Sequence, residues 1–116
     1  MSLGGELFPI NEGSVFSISF KHSVNQSTVT EIFQARQGQI LLTALEFEAF
    51  GAGMPAYLQE GERLVYLPCG AMRIEGMESV FDSILFSIGY GTEHMFHMDG
   101  RKIPLQQGQL LLQIIN

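Results

Sequence analysis

The chain has a single cysteine, Cys69, so it cannot be built on an internal disulfide framework, and one thiol is compatible with either side of a membrane. Charge is also scarce. Only 16% of the 116 residues are charged, and twelve acidic against six basic side chains leave a net charge of -6, which repels phosphate backbones and excludes a nucleic-acid binder. No run of 18 apolar residues occurs. Phosphate-loop, GxGxxG, HExxH, CxxC and GxSxG signatures are all missing, which removes the usual sequence markers of nucleotide, zinc and serine-hydrolase chemistry. Long amphipathic helical stripes are absent too.

What the chain does have is 46% hydrophobic residues, rich for a soluble single domain of this length, and a dense series of turn signals. Runs at about 14–22, 28–36, 39–50, 62–67, 71–75, 80–89, 93–98, 101–105 and 109–115 are filled with Val, Ile, Phe, Tyr and Leu. These predict an all-β domain, an antiparallel β-sandwich or partly closed β-barrel of about eight or nine short strands. A short helix near 77–83 is the one local alternative. The opening MSLGGELFP lacks the regions of a signal peptide, and residues 1–6 are expected to be tag-like or unstructured, with 7–116 forming the domain.

The segment FKHSVNQSTVTEIF carries the first candidate site. Phe16, Ile18, Phe20 and His22 alternate with Ser17, Ser19 and Lys21, so His22 continues an apolar row. A turn at Asn25-Gln26 would set Phe20 opposite Glu31 and His22 opposite Val29, placing imidazole and carboxylate on one dry face. Such groups need a partner, and a His–Glu contact, a metal or a bound ligand would each serve. In HMFHM-DG-RKIPL, a type I′ turn at Asp99-Gly100 sets Met98 opposite Arg101, Phe96 opposite Ile103 and His94 opposite Leu105. His94 then points inward, and His97 toward solvent.

His22, Glu31 and His94 thus form the candidate constellation, read either as a core network that fixes strand register or as the lining of a ligand or metal site. Ser23 points away from His22 and reads as a turn cap. Gly51, Ala52 and Gly53, followed by Met54-Pro55, read as a tight corner or a ligand cradle. Cys69 reads as structural, the methionines as core filler, and the six scattered basic residues as solvated.

The pieces FKHSV with Glu31, FEAFGAGMPA at 47–56 and GTEHMFHMDGRKIPL at 91–105 together resemble the bacterial domain of unknown function 1850 family, from about Phe8 to Ile115. The family's His-Ser falls on His22 and Ser23, its Glu on Glu31, its Gly-Ala-Gly on Gly51, Ala52 and Gly53, and its later His on His94. The resemblance implies a small extracytoplasmic β-domain, usually behind an amino-terminal anchor. It also implies a place beside tripartite ATP-independent (TRAP) transporters that use a TAXI solute-binding protein. The expected function is therefore a non-enzymatic accessory or scaffold domain without a cofactor, its oligomeric state open and compatible with a dimer. Its partners would be the transporter's membrane subunit or its solute-binding protein. The alternative is a small-ligand or metal-binding module built on His22, Glu31 and His94.

Overall fold

Alternation writes the first long strand directly: in Val15–Lys21 the side chains of Phe16 and Ile18 are buried, while Ser17 and Ser19 on the other face are half-exposed. The computed structural model describes residues 1–21, 27–48 and 58–115. They hold twelve strands: β1 (Ser2–Leu3), β2 (Glu6–Leu7), β3 (Val15–Lys21), β4 (Thr28–Arg36), β5 (Gln39–Phe47), β6 (Arg63–Tyr66), β7 (Met72–Glu75), β8 (Ser79–Phe81), β9 (Ser83–Ile88), β10 (Met95–Met98), β11 (Arg101–Pro104) and β12 (Gly108–Gln113). All pairings are antiparallel. One sheet has the order β2, β1, β12, β9; the larger runs β11, β10, β3, β4, β5, β7, β6, with β8 also on β5. The expectation of an all-β antiparallel fold is met in its sandwich form, the sheets not closing into a barrel. The strands number twelve among the described residues, however, and not eight or nine: β1 and β2 are too short to show a period, and the run at 80–89 divides into β8 and β9.

The two sheets close over an aromatic core. Leu3, Phe86, Ile88 and Leu112 of the smaller sheet meet Phe16, Ile18, Phe33, Ile40 and Phe96 of the larger one. Phe33 and Phe86 touch edge to face across the layers at 6.5 Å, and Phe16 stacks on Phe33 at 5.6 Å. Burying each such ring contributes about 1.5–3 kcal/mol.

Two turns fix register locally. Gln37-Gly38 and Asp99-Gly100 all have positive φ, as a two-residue type I′ loop requires, and glycine takes the second position of each at no steric cost. Phe96 pairs with Ile103 and Met98 with Arg101, and the Leu105 N–H donates to the His94 carbonyl at 2.9 Å, as the Asp-Gly spacing predicts.

A bulge divides the larger sheet. Ile32 pairs with Ala44 but Phe33 pairs with Leu42, leaving Thr43 extra on β5. Its hydroxyl donates to the Ile32 carbonyl at 3.2 Å, and its carbonyl accepts the Met77 N–H at 3.1 Å. Before the bulge β5 pairs with β8; after it, with β7. The second half carries its own cluster of Val29, Phe47 and Ile74 with Phe20, Leu45, Leu64 and Met77 against it.

Three further expectations are corrected. Residues 1–6 belong to the fold: Met1 and Leu3 are core residues, and the Met1 amino group donates to the Phe8 carbonyl at 2.9 Å. The region near 77–83 is extended, breaking at Asp82 between β8, which is exposed along its length, and β9, where alternate side chains turn into the core. Cys69, read as structural, lies exposed in the turn between β6 and β7 and not in the core.

Candidate functional site

The inner face of the larger sheet continues past the main core and carries two of the three predicted residues, Glu31 and His94. In β4, Glu31 stands between Val29 and Phe33 on the inward row, opposite Ile18 of β3 and Leu45 of β5. Desolvation in this apolar setting raises its carboxyl pKa above the ordinary value. The face is the predicted one, but the register differs by two residues: Phe20 pairs with Val29, and Ile18, not Phe20, with Glu31. Side-chain orientation has a period of two, so this shift preserves the face while changing the neighbour.

His94 extends β10 by one residue. The Phe96–Ile18 pairing sets it level with Phe20, and the two rings stack at 5.0 Å and 12°. It is only 9% exposed. Its Nδ1 lies 2.7 Å from the Thr92 hydroxyl, which donates its single hydrogen to the Gly89 carbonyl at 3.0 Å. The imidazole must therefore donate through Nδ1–H, leaving the lone pair on Nε2. Burial pushes its pKa below the ordinary value and favours this neutral form.

These two groups share a face without touching. Strand β3 runs between them, so they are separated by two strand spacings across and two residues along, about 12 Å, with Phe20 and Ile18 intervening. Among the described residues, no three His, Cys, Asp or Glu side chains gather as a metal-holding group. His22, Ser23, Gly51, Ala52 and Gly53 lie outside the described residues.

The opposite face of the larger sheet holds what the strand pattern missed. His97, expected in solvent, is half-buried and bonds through Nε2 to the Ser19 hydroxyl at 2.9 Å; desolvation and the nearby Lys102 charge lower its pKa. It lines an open groove of about 410 Å³ with Ser17, Thr30, Ile32, Glu46 and Lys102. Arg73, expected in solvent, is two-thirds covered; its Nε donates to Glu46 at 2.8 Å, and Glu75 links it to Arg63. The hint lay in the small polar row Ser17, Ser19, Thr30. Reading it required knowing that β10 lies beside β3.

A Ser–His hydrogen bond has the residue types of a nucleophile and its base. Ser19, however, sits inside a sheet, with β3 paired to β10 on one side and β4 on the other. The ladder occupies the surrounding main-chain N–H groups that an oxyanion hole would need.

The smaller sheet shows a different surface. Leu85 pairs with Leu111 on its outer face, 57% and 40% exposed, and Leu7 at its β2 edge is 71% exposed. Their neighbours on that face of β9 and β12 are Ser83, Ser87, Gln109 and Gln113, so the central patch is apolar and uncharged.

No curated protein and no solved structure matches the chain. A family model described as a domain of unknown function, DUF1850, matches residues 16–105, from the first buried residue of β3 to the end of the Asp-Gly hairpin. That span is most of the chain and includes Glu31 and His94, and the chain accordingly belongs to the DUF1850 family.

Proposed function

We propose that this domain is a non-enzymatic accessory module that works outside the cytoplasmic membrane, beside a TRAP transporter of the TAXI type, and acts by binding protein. The observation that carries the binding mode is the outer face of the smaller sheet. Leu85 and Leu111 stand exposed side by side, flanked on that face of β9 and β12 by serine and glutamine, a surface suited to burial against a partner. The transporter association rests on the family resemblance. The non-enzymatic reading is supported by the separation of Glu31 from His94, and by the mid-sheet setting of Ser19 and His97.

The test is a titration of the purified domain against the detergent-solubilised membrane subunit of a TAXI-type transporter from the same genome, with its solute-binding protein as a second arm. Saturable binding to either, weakened about tenfold or more by Leu111→Lys, is the expected result; a loss of that size corresponds to about 1.4 kcal/mol or more. Absence of binding to both, or equal binding by the variant, would overturn the proposal.

A further inference from the structure

We infer that two copies of this chain join edge to edge through β9, making one continuous eight-stranded sheet across a two-fold axis at Leu85. Among the described strands, β2 carries Glu6 at one end of the smaller sheet, while β11 carries Arg101, Lys102 and Pro104 and β6 carries Arg63 at the ends of the larger one. Charge and proline are the usual guards against strand addition. Strand β9, Ser83-Ile84-Leu85-Phe86-Ser87-Ile88, has neither, and at six residues it is the longest edge; β8, paired among the described strands with β5 alone, has neither too but is three residues long.

The direction of its peptide groups follows from the ladder. The Gly4 N–H donates to the Leu111 carbonyl at 2.9 Å, so Leu111 turns its peptide groups toward β1. In an antiparallel sheet the alternate residues, Leu110 and Leu112, then face β9, where they pair with Phe86 and Ile84. The N–H and C=O groups of Ser83, Leu85 and Ser87 are left pointing to the open edge.

Those three residues read the same in both directions about Leu85. A two-fold axis there sets Leu85 opposite the other copy's Leu85 and Ser83 opposite its Ser87, each an exchange of N–H and C=O. On the inner face, Ile84 comes opposite the other copy's Phe86 and extends the core. On the outer face, Leu111, Leu85, Leu85 and Leu111 form one row across the seam. With a net charge of -6 per chain, self-association requires a seam without charge, and β9 provides one. A foreign strand would need no such palindrome. The opposite edge, β2, is two residues long and acidic, so a head-to-tail chain of sheets is disfavoured and the pairing closes as a dimer. This inference stands apart from transporter binding, and either can fail without the other.

Sedimentation velocity from micromolar to near-millimolar concentration tests it on four proteins: wild type, Leu85→Lys, Ser87→Pro and Val15→Lys. Leu85 and Val15 are both exposed, and the Ser87 N–H makes no ladder bond, so all four should melt cooperatively. Wild type and Val15→Lys are expected at twice the chain mass, Leu85→Lys and Ser87→Pro at once. A monomeric wild type would overturn the inference. So would a dimer that survives both β9 substitutions, or one that Val15→Lys dissolves as readily.

Discussion

The Phe20 and His94 rings lie stacked at 5.0 Å and 12° from parallel, joining the end of β3 to the residue before β10. This contact closes the inner face beyond the last pairing of the two strands. It explains why a histidine in an apolar row is tolerated: one nitrogen is satisfied by Thr92, and the ring plane is covered by an aromatic neighbour.

Truncating that ring should be costly. His94→Ala is expected to lose about 2 kcal/mol from the lost stack and the cavity left behind, measured by urea denaturation at neutral pH. His94→Phe should recover most of the stacking.

Acid should weaken the fold in a defined window. The folded-state pKa of His94 lies below its unfolded value, so the unfolded chain binds more protons, and stability falls as pH drops below about 6.5 toward the lowered value. His97 is lowered as well and contributes to the same slope. Thermal midpoints of His94→Phe between pH 8 and 5 should therefore fall less steeply than those of wild type.

Glu31 has the opposite sign. Its folded carboxyl binds a proton more tightly than the unfolded one, so its cost is absent at low pH and grows as pH rises from about 4.5 through the raised value. Glu31→Gln should raise the thermal midpoint at pH 7 by a few degrees, and the gain should vanish near pH 4. A midpoint that drops at pH 7 would show that the carboxylate is held by a partner.

The two core clusters should differ in weight. Phe33 and Phe47 are both 1% exposed, but Phe33 lies between the sheets and Phe47 in the smaller cluster. Phe33→Ala should cost about 3–5 kcal/mol and Phe47→Ala less, since Phe33 is held by the rings of Phe16 and Phe86 from both sheets. Arg73→Met should cost about 1 kcal/mol or less, because the Glu46–Arg73–Glu75 chain is partly open to water. Chemical denaturation of the three variants in one buffer makes the comparison.

Much of the architecture was legible because strand alternation is local. Phe16, Ile18, Phe96 and Met98 declare their faces within their own runs, and Asp99-Gly100 declares its register. The inward faces of Glu31 and His94 were readable for the same reason, and they survive a two-residue slip. Their separation was not readable, since it depends on β3 lying between β10 and β4, a long-range order that no local pattern encodes. The Thr43 bulge was equally hidden: Leu41 to Leu45 is apolar almost throughout and shows no break in alternation. Strands β1 and β2 are two residues each, too short for a period to register. The half-burial of His97 depends on Ser19, a partner 78 residues away.

The most direct test of protein binding through the smaller sheet is amide hydrogen exchange, with and without the TAXI-type membrane subunit. Slower exchange in the complex along β9 and β12, around Leu85 and Leu111, with the His97 groove unchanged, is the predicted result. Protection confined to the His97 groove or to the strands around Glu31 and His94 would contradict the account and move the function to the larger sheet.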